Sequence, residues 1–356
     1  MYRDSLPALR LMGDGATIWP DGPQLARRSR FEYRPRQPTS PADFAGTPTP
    51  RRRILNMPDR SMKGVYPILS APINARGQLV VEDLERQVEW MIDKGVHGVG
   101  IAIATEIYKF TEQERDLILT TVVRVNNGRI KVVMNTGGEG TDAAIFLSKR
   151  AEELGADALM IRPTSFIPVP TSENVEYFVK IAESVSLPIF LQDQGTAQVP
   201  PAMAVQCAKR HENLCYIKVE TPPTLPRMGE TQKLAEGTGL VLFGGAGGAF
   251  AVEEFRRGSA GTMPGSTLPD MFVRVWDYYQ AGDEDAAEAE MQRHGPLIQL
   301  LAQGQGLVGW IYKYIMVRRG VFSPGSDFAR HPARKPDAQQ YREIDRILEE
   351  LDLVGQ

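Results

Sequence analysis

Residues 214–223 read LCYIKVETPP, an apolar run with a lysine, Lys218, in its middle and two prolines at its end. A run of this length, bounded by turn formers, suits one strand of a sheet that is covered on both faces. Side chains alternate along a strand, so Tyr216, Lys218 and Glu220 share one face while Cys215, Ile217 and Val219 share the other. The aliphatic face belongs against helices. Lys218 must then point the opposite way, and an unpartnered ammonium in a dry interior is costly. Such a strand fits an architecture whose strands enclose a polar site.

The rest of the chain supplies that architecture. From Gly64 onward, short apolar runs alternate with amphipathic segments, the pattern of parallel strands joined by crossover helices. The candidate strands are VYPILSAPI (65–73), GVGIAI (98–103), KVVMNT (131–136), ALMIRP (158–163), PIFLQD (188–193), CYIKVE (215–220), LVLFGG (240–245) and GTMPG (261–265). Eight strands at this regular spacing fit a closed ring better than an open sheet. Between them, Leu84, Val88, Met91 and Ile92 line one helix face with Gly95 past its end, and Thr111 with Glu114 forms a capping box. Gly155 closes a third helix after Leu147, Ala151 and Leu154. Residues 267–282, 284–303, 306–319 and 338–352 again read as helices, more than one barrel needs. The expected fold is α/β: a (β/α)8 TIM barrel over residues 61–282, a C-terminal helical region over 283–356, and an irregular Arg/Pro-rich N-terminal extension over 1–60.

Charge separates that extension from the body. Residues 1–60 hold eleven arginines, no lysine and six acids, a balance of +5, which leaves -8 for the remainder of a chain whose total is -3. Nine prolines in the same segment, Arg51 to Arg53 among its arginines, work against regular hydrogen bonding. Without aromatic interleaving or a folded motif, the arginines suggest contact with the protein's own acidic body or a neighbouring subunit rather than nucleic acid. No run approaches the length of a membrane span, and no charged-then-apolar leader opens the chain, so a cytoplasmic protein is expected. Cys207 and Cys215 lack metal-ligand spacing and read as reduced packing residues. His97, His211, His294 and His331 are scattered, and no metal site is expected.

Active sites of such barrels form where the C-terminal ends of the strands meet the following loops, and Lys218 lies there. It is either half of an internal ion pair, with Glu220 or with Glu106, or a nucleophile whose neutral amine attacks a ketone to give a protonated imine. The order of motifs resembles the dihydrodipicolinate synthase and N-acetylneuraminate lyase superfamily of Schiff-base aldolases and dehydratases. The resemblance rests on SAPIN in the first strand, ATE after the second, TGGEGT after the third, IKVE at the lysine strand and FGGAGG after the seventh. IKVETPPT, FGGAGG and EEFRRGSAGTMPG look most like the branch containing 2-keto-3-deoxy sugar acid dehydratases.

The resemblance implies that Lys218 forms an imine with a small-molecule 2-oxo acid, without cofactor or metal, and that the protein is a homotetramer. Dehydration and carbon–carbon cleavage share the resulting enamine, so both stay open. The family's carboxylate-holding loop corresponds to AIATE (102–106), where Ala104 and Thr105 become expected substrate-binding positions and Glu106 the matching acid; Gly245 of FGGAGG is the third expected substrate-binding position. Its relay tyrosine should fall in PTSFIPVP, where Thr164, Ser165 and Phe166 stand instead. Ser165, Glu106 or Glu220 would have to move the proton. The glycines of GGAGG (244–248) also suit a flavin- or phosphate-binding barrel, and the missing tyrosine would suit a non-catalytic regulatory or assembly subunit.

Overall fold

The computed structural model describes residues 57–355, so the extension over 1–60, including Arg51 to Arg53, lies almost wholly outside the described residues. Eight parallel strands are arranged in the order β1-β8-β7-β6-β5-β4-β3-β2: β1 (Gly64–Val65), β2 (Gly98–Ile101), β3 (Lys131–Asn135), β4 (Ala158–Ile161), β5 (Ile189–Gln192), β6 (Tyr216–Val219), β7 (Val241–Gly244) and β8 (Gly261–Thr262). Ile68 bridges Gly100 on one side and Gly265 on the other, so the ring closes into the expected TIM barrel. The first strand is much shorter than its apolar run because Pro67 has no N–H to donate; its carbonyl still accepts from Gly100.

Between the strands run α1 (Val81–Asp93), α2 (Glu112–Asn126), α3 (Thr141–Glu153), α4 (Thr171–Ser184), α5 (Pro201–Arg210), α6 (Thr224–Leu234) and the short α7 (Ala251–Phe255). Leu84, Val88 and Met91 of α1 are buried, and Gly95 and Gly155 take the positive φ that ends helices. Thr111 accepts from the Glu114 amide while Glu114 accepts from that of Thr111, as the capping box requires. After β8 come α8 (Pro269–Gln280), α9 (Glu284–Leu301), α10 (Gln305–Arg318) and α11 (Ala338–Glu350). One apolar cluster runs through α7, α8, α9, α10 and α11, so residues 283–355 share a core with the last units of the barrel. No helix among the described residues is long and apolar enough to cross a membrane.

The barrel interior is filled in layers. Tyr66, Phe190, Tyr216 and Phe243 plug the floor, with Phe190 stacked on Tyr216 at 4.4 Å and Tyr66 edge-on to Phe243 at 5.4 Å. The Tyr216 hydroxyl donates to the Asp59 carbonyl and accepts from the Met62 amide, which seals that end. Lys218 stands one layer higher, toward the C-terminal ends of the strands. Ile217 and Val219 join the outer layer under the helices, as alternation demands. Cys215 departs from it: lying before the first paired residue of β6, it joins the inner cluster.

Candidate active site

A pocket opens at the C-terminal face of the barrel, lined by Ile68, Ala102 to Ala104, Gln192, Gln194, Lys218, Glu220, Gly247, Met263 to Gly265 and Tyr312. These residues lie at or just past the C-terminal ends of six of the strands, and Tyr312 comes from α10. Lys218 is only 4% exposed, yet its ammonium reaches this space. It donates to Glu220 Oε1 at 2.7 Å. The same oxygen accepts from the Ala246 amide at 3.3 Å, and Glu220 Oε2 lies 3.5 Å from the Gln192 amide nitrogen. Gln192 in turn accepts from Asn135 at 3.0 Å. The fully buried Asp193 fixes the turn after Glu220 by accepting from the amide and hydroxyl of Thr221. The ion-pair partner anticipated at Glu220 is therefore present, and the pair is set in a cavity rather than sealed.

The other expected positions divide. Ala104 lines the pocket. Thr105 is buried beside it, but its hydroxyl accepts from the Ala102 amide at 3.0 Å and so braces the turn. Glu106 does not pair with Lys218. Its carboxylate is held by Lys109 and by Lys313 of α10, outside the pocket lining. The left-handed backbone at Glu106 (φ 63°) turns its side chain toward α10. Ser165 is likewise engaged elsewhere: its hydroxyl accepts from Arg162 at 2.6 Å, and its amide and that of Phe166 donate to Glu139. It caps a loop and is absent from the pocket wall.

Gly245 has a reason in this chain. A Cβ there would sit 2.1 Å from Glu220 Cγ, so the missing side chain makes room for the carboxylate that pairs with Lys218. At Gly244 a Cβ would meet Glu254 Oε2 at 1.7 Å. The space that Gly245 opens is taken by the Glu220 carboxylate, whose charge disfavours a phosphate at this loop.

Gln192, Asn135, Tyr312 and Glu254 were not anticipated. The first two carry a legible signal, since each is a polar residue at the end of an apolar strand with inward parity. Tyr312 carries none: GWIYKYIMV reads as a buried helix, and only packing against the Ile103–Thr105 turn brings its ring to the pocket. Burial first, and then the negative charge of Glu220, push the Tyr312 phenol up, so it keeps its proton at neutral pH.

An eight-stranded barrel with an enclosed lysine–glutamate pair at its C-terminal face defines a small-molecule enzyme architecture. A model of the dihydrodipicolinate synthetase family matches residues 61–351, and the chain belongs to that family. Among characterised relatives, it is 27% identical over 297 residues to L-2-keto-3-deoxyarabonate dehydratase of Azospirillum brasilense, covering 82% of this chain and 94% of that one. It is 29% identical over 245 residues to 4-hydroxy-tetrahydrodipicolinate synthase of Methanocaldococcus jannaschii, covering 67% and 83%. The fold matches that of dihydrodipicolinate synthase from Thermotoga maritima with a TM-score of 0.77 at 20% identity, over 82% of this chain and 99% of the other.

Proposed function

We propose that the protein is a Schiff-base-forming lyase that acts on a 2-oxo acid, with dehydration of a 2-keto-3-deoxy sugar acid or a related 4-hydroxy-2-oxo acid as its reaction. The observation that carries this reading is the Lys218 ammonium, buried, paired with one carboxylate 2.7 Å away and facing an open pocket. The similarity to a 2-keto-3-deoxyarabonate dehydratase over most of both chains supports the substrate class.

In this mechanism Lys218 gives a proton to Glu220 and its amine attacks C2 of the substrate. Glu220 returns that proton to the C2 hydroxyl as it leaves as water, which restores the carboxylate and yields the protonated imine that acidifies C3. A carboxylate beside the imine, Glu220, removes a C3 proton, and the electron pair expels the C4 hydroxyl as a proton reaches it. Tyr312, which also lines the pocket, is the donor for that step. The turn at Ala102 to Thr105 presents its backbone, with Ala104 at the wall, to the substrate carboxylate. Hydrolysis of the product imine restores Lys218.

The reading includes a homotetramer, which light scattering on the purified protein checks. The central test is borohydride reduction across a panel of 2-oxo acids, read as a mass increase on Lys218. Expected is an adduct with at least one 4-hydroxy-2-oxo acid and none in Lys218→Ala. Absence of any adduct would leave the family's non-catalytic alternative.

A further inference from the structure

Behind the pocket wall lies an acid that the reaction above does not use. Glu254 of α7 is fully buried, and no side chain among the described residues donates a hydrogen bond to its carboxyl oxygens; the donor that approaches them is the backbone N–H of Gly245. It faces the outer side of β7, where Gly244 leaves a notch that one of its oxygens fills. The next residue, Gly245, makes the matching space for Glu220 on the inner side. Two glycines in sequence thus seat two acids against the same stretch of backbone, one in front of the barrel wall and one behind it. Thr262 of β8 is register partner to Gly244 and so shares its outer face; its hydroxyl is also buried without a partner.

A carboxylate with no side-chain donor or cation in contact, close to a second carboxylate, is costly in a dry interior, whereas a neutral carboxyl there is tolerable. We propose that Glu254 is held as a neutral carboxylic acid behind the Lys218–Glu220 pair and is a positioning residue that fixes the net charge Lys218 experiences. The inference rests on the imine reading of Lys218 for its functional part. Burial first, and then the charge of Glu220, push the Glu254 carboxyl up to about 8, with Lys218 and the Gly245 backbone N–H opposing and Glu253 of the same helix adding to the rise. Among the charged groups on elements packed against α7, Glu284 and Glu288 of α9 pair with Arg256, Arg274 of α8 with Glu290 of α9, Asp270 of α8 with Arg319, and Arg227 of α6 with Asp193, while His294 of α9 lies beside Glu290.

While Glu254 is neutral, Lys218 faces one negative charge. Once it ionises, a second negative charge stabilises the ammonium form and withholds the amine that must attack. The sign is unusual: alkali should help an ordinary amine, but here ionisation of Glu254 opposes that gain.

The test compares wild type with the isosteric Glu254→Gln, following the rate of borohydride trapping against pH. Below about pH 7 the two rates should agree, and above about pH 9 the variant should trap about three- to tenfold faster, because it cannot acquire the second charge. Glu253→Gln, which removes a neighbouring charge that helps keep Glu254 neutral, should keep the wild-type suppression of trapping in alkali and shift its onset to slightly lower pH. A rate lowered by the same factor at every pH would assign Glu254 a purely structural role and overturn the proposal. Infrared difference spectra supply a second readout independent of turnover: wild type at neutral pH should show the carbonyl stretch of a protonated carboxylic acid that disappears in Glu254→Gln. Lack of that band would overturn the proposal even if Lys218 forms an imine. Presence of the band with no adduct in either protein would sustain the neutral acid and sink the lyase reading instead.

Discussion

Two lysines are buried among the described residues, and they have opposite fates. Lys218 of β6 is 4% exposed and Lys313 of α10 is fully buried. Both stand in apolar runs, and both contact a glutamate. Lys313 donates to Glu106 and to the Phe328 carbonyl, and Glu106 is further neutralised by Lys109. No side of Lys313 lines the pocket. Lys218 has one carboxylate and looks into the cavity. Burial alone therefore does not mark a reactive amine; the difference is made by how many partners saturate it and whether a substrate has room beside it.

The sharpest break of this comparison is Lys218→Arg. A guanidinium keeps the pair with Glu220 but cannot become the attacking amine, so turnover should fall on the order of 10⁴-fold or more while the fold persists. Retained turnover would move the chemistry to another residue. Next comes Tyr312→Phe, expected to lower kcat about 10²-fold while leaving the borohydride adduct on Lys218, because the phenol acts after the imine has formed. Equal loss of adduct and turnover would instead place Tyr312 in substrate binding.

Lys313→Met probes the other lysine. It should leave adduct formation in place and cost about 3 kcal/mol in urea unfolding, since Glu106 loses a buried partner and keeps only Lys109. Loss of the adduct would erase the contrast between the two amines.

The smallest effect is expected at Arg330, whose hydrogen bond to Glu114 holds that carboxyl down at about 2 against burial. The depressed carboxyl contributes stability that is complete above its unfolded value, near pH ~4.3, and is lost as pH falls toward the folded value. In Arg330→Ala the acid-side slope of stability should flatten by about 1 kcal/mol or less, as suits a partly exposed pair. An unchanged slope would show that Glu114 draws its low value from Thr111 alone.

The contrast also explains which parts of the site were legible. Strand parity placed Lys218 and Glu220 inside the ring, because alternation along a strand is a local rule and the aliphatic face had only one place to go. The same rule applies to Gln192 and Asn135, each polar at the end of an apolar run. No local rule told Lys313 from Lys218, because a buried helix is apolar all round and its sequence does not say which residue meets the barrel mouth. Glu106 and Ser165 were placed by correspondence along the chain, and the fold gave them partners that chain order does not reveal: Lys313 for one, Arg162 and Glu139 for the other.

The amino-acid order alone determined the eight strand-and-helix units, their closure into a barrel and the inward direction of the lysine, since each follows from periodicity and turn chemistry over a few neighbouring residues. Only the tertiary structure decided that α10 sends Tyr312 to the pocket and Lys313 away from it, and that Gly244 and Gly245 seat Glu254 and Glu220 on opposite sides of one strand end. Those outcomes depend on how distant segments pack, where shape and desolvation are settled by groups that are remote in the chain.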